Sequence, residues 1–391
     1  MPDRVVIVGA GPAGLAAAAG LRERDLPFRL IDAGHEVGGS WAGRYDSLRL
    51  HTARYLSGLP GMPIPKQYGD WVARNDLVAY LREYAKQLEL FPELGVEATR
   101  VEPEGGGWRV TTSVGNMPAR AVVIATGYSH TPYLPEWPDQ ELFTGPVVHT
   151  AAYREPAPYA GQRVLVVGSG NSAADVVVDL AGVADEVIMA VRTPPNIIRR
   201  DMLGLSTQLL GIASDPLPPQ IKNPMSDLLR KATVPDLSAH GLPAPSGNGY
   251  SQFRSTRTVP IIDSGFVDVV RSGAVRIVPA VESFTQGGVR LVDGSQVEVD
   301  AVIAGTGYRT GLEPLVGHLG VLDDAGMPLV SGGRTLPQAP RLHFTGIKVE
   351  LTGLLREIGI ESRQIARALA GSDGSAARRR RLLRAPRPRR A

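Results

Sequence analysis

The chain has 391 residues, 43% apolar and 21% charged, with a net charge of +3, a length and composition that fit a globular protein of two ordinary domains. Cysteine is absent, which excludes structural disulfides, cysteine-ligated metals and any redox-active dithiol. Arginines crowd the stretch from Arg378 to Arg390 with no acid among them; the rest of the chain is therefore mildly acidic and shows no general nucleic-acid footprint, and no uncharged apolar run nears the roughly 18 residues of a membrane span.

In chain order, "RVVIVGAGPAGLAAAAGLRERDLPFRLID" predicts a buried strand, a Gly turn, an Ala-rich helix and a second strand, which together make a βαβ unit. No basic-then-apolar leader precedes Arg4, so a cytoplasmic protein is expected. Gly9, Gly11 and Gly14 stand at the positions of a dinucleotide fingerprint: one for the tight turn, one for backbone approach to a pyrophosphate, one for helix–strand packing. Asp32 ends the second strand 18 residues after Gly14, where a carboxylate accepts from ribose hydroxyls and repels a 2′-phosphate. The alternative is a structural Gly turn. "GGSW" (38–41) then brings two glycines and a flat Trp41 wall, read either as part of the site or as a turn with a core Trp.

"AVVIATGY" (121–128) and "FTGPVVHTAAY" (143–153) follow, and the strand–turn–helix–strand pattern returns at "RVLVVGSGNSAADVVVDLAGVADEVIMAVR" (163–192). Here Gly168 and Gly170 repeat the loop, and the second strand ends on Arg192 and Thr193 with no acid. A guanidinium pairs with a 2′-phosphate, which selects NADPH over NADH. Residues 197–260 read as a helical and loop excursion, with Arg254 and Arg257 as cationic partners for an acidic substrate. Strands resume near 275, "AVIAGTGY" (301–308) echoes 121–128, and a helix with Leu354, Ile358, Ile365 and Leu369 at helical spacing closes the ordered chain. The Arg-rich end is expected to be a solvated, disordered tail. Two dinucleotide sites in one chain suggest hydride transfer from NADPH to a second nucleotide cofactor, most economically FAD. With no cysteine pair, the electrons leave to oxygen or to an external carrier.

"FTGPVVHTAAY" matches the F-x-G-x-x-x-H-x-x-x-Y/F identifying sequence of class B flavin-containing monooxygenases, placed just before the second Gly loop. With "GAGPAG", "GGSW", "GSGNSA" and the two T-G-Y turns in order, the chain resembles that family over about residues 4–370. "TVPIIDSGF" (258–266) and "VRSGAVRIVPAVESF" (270–284) are similar to the YUCCA-type, indole-3-pyruvate-oxidising branch and its bacterial relatives. Two departures stand out. The identifying sequence ends in Tyr153 rather than the Trp usual in Baeyer–Villiger relatives. "LRLHTARYL" places His51 and Thr52 where many amine- and sulfide-oxidising members carry an Asn.

The resemblance implies an α/β fold of two Rossmann-like dinucleotide-binding domains, the smaller NADPH domain inserted in a discontinuous FAD domain. The expected spans are 1–155 and 299–372 for FAD, 156–298 for NADPH, and 373–391 for the tail. For FAD it implies Gly9, Gly11, Pro12, Ala13, Gly14, Asp32, Ala33, Gly39, Ser40, Trp41, His51, Thr52, Val101, Thr126, Gly127 and Leu354. For NADPH it implies Gly168, Ser169, Gly170, Asn171, Ser172, Arg192, Thr193, Thr306 and Gly307. Catalysis would pass through a C4a-(hydro)peroxyflavin, so no metal and no nucleophile–base pair are expected; His149, domain-orienting or direct, and His51 are the catalytic candidates. The expected partners are a small organic substrate (an indole-3-pyruvate-like 2-oxo acid, or an amine, sulfide or indole-type metabolite) and O2, with no nucleic acid and no membrane; a homodimer is left open. The competing readings are a reductase of the ferredoxin–NADP type and a non-catalytic flavin redox sensor.

Overall fold

Val5–Val8 and Ala121–Ile124 are wholly buried aliphatic runs that pair in parallel at the centre of a five-stranded sheet. Continuous apolar strands of this kind need cover on both faces, and alternate residues supply it. Val5, Ile7, Ala121 and Val123 face the core that includes the helix Pro12–Arg22, while Val6, Val8, Val122 and Ile124 face a second core around Trp108 and Phe344. Phe28–Asp32 and then Glu93–Leu94 extend the sheet on one side, and Leu342–Phe344 closes the other, all in parallel. The computed structural model describes residues 3–202, 205–245, 253 and 258–383, with side chains to 371.

A second five-stranded parallel sheet repeats the plan. Arg163–Val167 lies at its centre between Glu186–Ala190 and Ala301–Ala304, with Arg276–Val278 and Val147–His149 at the edges. In each unit a three-stranded antiparallel sheet (98–119 and 281–298) precedes the strand that ends in T-G-Y. The two Gly turns are equivalent in detail. Gly9 has φ 107° and a Cβ there would lie 2.5 Å from the Ala125 carbonyl; Gly168 has φ 122° and a Cβ there would lie 2.4 Å from that of Gly305. Only glycine combines that backbone conformation with such close approach.

Two features of the expected division move. Val147–His149 and Ala301–Ala304 both pair within the second sheet, so boundaries at 155/156 and 298/299 would cut it. A parallel strand joins its sheet through a crossover from elsewhere in the chain, and local pattern does not say which sheet. The closing helix, Leu354–Leu383, runs past 373, where a disordered tail is expected; its Ala- and Arg-rich end favours helix, and residues 384–391 lie outside the described set. Ile358, Ile365 and Leu369 bury against the helix Pro12–Arg22, at a crossing where a Cβ on Gly20 would sit 3.3 Å from the Ser362 carbonyl.

The excursion contains helices Thr207–Ser214, N-capped by Ser206, and Pro219–Thr233. Arg254 and Arg257 lie outside the described residues. Among the described residues no helix is long and apolar enough to cross a membrane.

Candidate functional site

One continuous cleft of about 1700 Å3 reaches both Gly loops, larger than the several hundred Å3 of an ordinary small-molecule pocket and on the scale of two dinucleotides. Gly11 and Gly170 form the N-caps of their helices, and a Cβ at either would meet nothing within 4 Å because it would project into that space. Each helix therefore presents unpaired backbone N–H groups and the positive end of its dipole to the cleft, as a pyrophosphate requires. Asp32 lines the first end; its carboxylate is steadied by the N–H groups of Ala10 at 2.5 Å and Gly34 at 2.7 Å. At the second end stand Arg192, with no carboxylate partner among the described residues, and Thr193, whose carbonyl accepts from Ser169 Oγ at 3.1 Å. The donor sets fit two different nucleotides, one without and one with a 2′-phosphate.

Of the flavin set, the structure brings Gly9, Gly11, Pro12, Ala13, Asp32, Ala33, Gly39, Ser40, Trp41, His51, Thr126, Gly127 and Leu354 to the cleft wall. Of the nicotinamide set it brings Gly168, Ser169, Gly170, Asn171, Ser172, Arg192, Thr193, Thr306 and Gly307. Three expectations are corrected. Val101 is fully buried in the core beneath the antiparallel sheet, and its neighbours Val96, Glu97, Ala98 and Thr99 reach the cleft instead. Thr52 turns away, with its Oγ1 2.8 Å from Ser57 Oγ. Gly14 does not reach the wall and keeps only the packing role its place in the fingerprint predicts: a Cβ there would lie 1.7 Å from the Gly9 carbonyl. Asn171 reaches the wall, yet its amide is committed to the backbone, donating to Pro260 O at 3.0 Å and accepting from Ile262 N at 2.7 Å.

His149 is also corrected as a direct catalyst. It is buried behind the wall, and its two ring nitrogens are spent: Nε2 donates to the Gly307 carbonyl at 2.9 Å and Nδ1 accepts from Ala151 N at 3.0 Å. Those partners define a neutral imidazole, and burial, the largest cause, pushes its pKa below the usual value. The other fixed positions of the identifying sequence are packing features as well. Phe143 packs on Phe284, ring centroids 5.5 Å apart. A Cβ on Gly145 would lie 2.3 Å from the Asp300 carbonyl. Tyr153, buried, donates its hydroxyl to Asp179 Oδ2 at 2.8 Å. The string is a clip that joins the strand Val147–His149 to the second Gly-loop helix and to the second T-G-Y turn.

Sequence reasoning missed several wall residues. Arg44 donates to the Ser129 carbonyl at 3.1 Å and to Tyr308 Oη, and its guanidinium lies 4.5 Å from the Tyr308 ring centre. Arg44 and Arg192 are the two Arg or Lys side chains on the described wall. Tyr308 and Arg309 pair antiparallel with Pro132 and Thr131, and Tyr133 N donates to Gly307 O at 3.0 Å, so the two T-G-Y crossings are stitched together. Gly346 lines the cleft, and a Cβ there would lie 2.5 Å from that of Ala13; its N–H donates at 3.0 Å to Glu361, whose carboxyl pKa is pushed upward by burial. Arg44, three residues past Trp41, was the readable signal; Gly346 carried none. Among the described residues no group of three or more acidic, His or Cys side chains is placed to hold a metal ion.

A family model described as pyridine nucleotide-disulphide oxidoreductase matches residues 6–206. The chain is 33% identical to the probable indole-3-pyruvate monooxygenase YUCCA4 of Arabidopsis thaliana, over 83% of this chain and 80% of that protein. It is 35% identical to the indole-3-pyruvate monooxygenase YUCCA1 of Oryza sativa subsp. japonica, over 78% and 76% respectively. Among solved structures, a flavin-containing monooxygenase from Stenotrophomonas maltophilia superposes with a TM-score of 0.73 at 27% identity, covering 95% of this chain and all of the other. Cyclohexanone monooxygenase, at 19% identity and the same TM-score, shares the fold.

Proposed function

We propose, for a chain that belongs to the class B flavin-containing monooxygenases, that its substrate is a 2-oxo acid of the indole-3-pyruvate kind, oxidatively decarboxylated to the acid one carbon shorter. The enzyme is an FAD- and NADPH-dependent monooxygenase. The observation that carries the cofactor part of the reading is the continuous cleft spanning both Gly loops, with Asp32 at one end and Arg192 at the other. The indole-3-pyruvate monooxygenases to which the chain is similar support the substrate class.

Bound FAD, reduced by NADPH, supplies the oxygen chemistry. The protein's part is to bind, orient and exclude water. Gly9, Gly11, Pro12 and Ala13 hold the flavin pyrophosphate at a helix N-terminus, Asp32 and Ala33 its ribose, and Gly39, Ser40 and Trp41 approach the rest. Gly168, Ser169, Gly170 and Ser172 do the same for NADPH, Arg192 and Thr193 take its 2′-phosphate, and Thr306 and Gly307 frame it at the crossing. The closing helix starts at Leu354 on the wall and turns its N-terminal dipole toward charge that gathers on reduction. With Arg192 engaged, Arg44 is the guanidinium left on the described wall for a substrate carboxylate, and it keeps N–H donors beyond its two bonds.

The stoichiometry is 2-oxo acid + NADPH + H⁺ + O2 → shortened acid + CO2 + NADP⁺ + H2O. FAD-loaded protein given indole-3-pyruvate should form indole-3-acetic acid and CO2 in step with NADPH and O2 consumption. Consumption that yields only hydrogen peroxide with every 2-oxo acid, alongside oxygen transfer to an amine or thioether, would overturn the substrate class and leave the monooxygenase standing.

A further inference from the structure

Asp175 lies in the second turn of the second Gly-loop helix, Asn171–Leu180, with its side chain 13% exposed. A carboxylate so sheltered is costly unless donors surround it. Among the described residues it has three: Tyr45 Oη at 2.7 Å, His51 Nε2 at 3.1 Å and Ser264 Oγ at 3.2 Å. Tyr45 and His51 come from the segment that follows Trp41 in the first unit; Asp175 and Ser264 belong to the second. Burial first, and the Asp175 charge second, push the Tyr45 phenol well above its usual pKa, so it remains a donor.

One turn further, Asp179 accepts from Tyr153 in the same manner, and the Tyr45 and Tyr153 rings stand 6.2 Å apart. Joining the two units therefore accounts for a Tyr–Asp pair without His51. What distinguishes Asp175 is that the imidazole it holds lines the cleft, and that Nδ1 of that imidazole has no partner among the described residues. A ring whose Nε2–H is taken by a carboxylate offers its Nδ1 lone pair as an acceptor.

We propose that Asp175 is a positioning residue: it holds the His51 Nε2–H so that Nδ1 accepts a hydrogen bond from an N–H or O–H group of the ligand seated where the two units meet. Both the carboxamide of a nicotinamide nucleotide and the ring N–H of an indole carry such a donor. The naming of those two ligands rests on the function proposed above; the His51–Asp175 arrangement does not.

The test is nitrogen-15 NMR of histidine-labelled, FAD-loaded enzyme, with the His51 signals identified by their loss in H51Q. Wild type should show a solvent-protected Nε2–H and an unprotonated Nδ1 at His51. Protection should weaken in D175N, whose amide oxygen still accepts, and vanish in D175A. NADP⁺ alone and indole-3-pyruvate alone are the probes, and whichever shifts the Nδ1 signal supplies the donor. The kcat/KM for the ligand that shifts Nδ1, NADPH or indole-3-pyruvate, should fall roughly tenfold in D175A, the worth of one hydrogen bond, with partial rescue in D175N and little change in D179N. The proposal is overturned if wild-type His51 lacks the protected Nε2–H, if that proton survives in D175A, if neither probe moves Nδ1, or if D179N loses as much as D175A. Wild type and D175N suffice should D175A not fold. A correct Nε2–H pattern without decarboxylation would count against the substrate reading alone.

Discussion

His149 Nε2 donates to the Gly307 carbonyl at 2.9 Å, across 158 residues of sequence. The same carbonyl accepts from Tyr133 N, so the histidine and the first T-G-Y segment meet at one oxygen of the second T-G-Y turn. With Nδ1 also occupied, the imidazole serves architecture, and its replacement should register in stability before chemistry. H149A strips one donor from Gly307 and unpairs Ala151 N–H, a loss of about 1–3 kcal/mol. Denaturant unfolding should show it, while the acid limb of the pH–rate profile stays where it is in wild type. Displacement of that limb without a change in stability would return His149 to the chemistry.

The paired glycines separate folding from cofactor binding. A Cβ at Gly9 runs into the Ala125 carbonyl, whereas one at Gly11 meets only the cleft. G11A should therefore fold with a melting temperature near that of the apo wild type and purify largely free of flavin, and G9A should lose the fold itself. Flavin absorbance per protein, read beside thermal melting, checks both.

Arg192 has no carboxylate partner among the described residues and stands at the position that discriminates the two nicotinamide nucleotides. Replacing it by Gln removes a charge-assisted pair, so the KM for NADPH should rise roughly tenfold to a hundredfold while that for NADH changes little. Equal losses with both nucleotides would mean that Arg192 supports the loop rather than the 2′-phosphate.

Acid should weaken the fold through two histidines. Burial, the largest cause, pushes His149 and His343 below their usual pKa and outweighs the opposite pull of the backbone carbonyls that accept from them, Gly307 O and Gly332 O. Their folded-state values lie below the unfolded one, so the stability they contribute is present above the unfolded pKa and is lost as pH falls through it toward the folded value. The melting temperature should drop from about pH 7.5 to about pH 5.5, and the drop should shrink in H149Q and H343Q. Glu361, pushed upward by burial, works in the opposite sense, which is why the histidine variants are the clean comparison.

What the chain alone determined was short-range. Each Gly loop is complete within one strand–turn–helix, Asp32 ends the strand that follows the first and Arg192 lies just past the strand that follows the second, so turn conformation, helix dipole and terminal charge are all written within about 30 residues. The missing cysteines and the string from Phe143 to Tyr153 excluded disulfide chemistry and pointed to the family in the same local way. Tertiary structure decided everything that depends on pairing between distant segments. It placed Val147–His149 and Ala301–Ala304 in the second sheet, buried Val101, turned Thr52 toward Ser57, and spent both nitrogens of His149 on backbone. It also brought Tyr45 and His51 to Asp175, 130 and 124 residues away. Periodicity reports which face of a strand or helix is apolar, but a polar side chain's partner depends on which elements pack together. For His51 that partner is a carboxylate on the opposite unit, and its role follows from the packing of the two sheets.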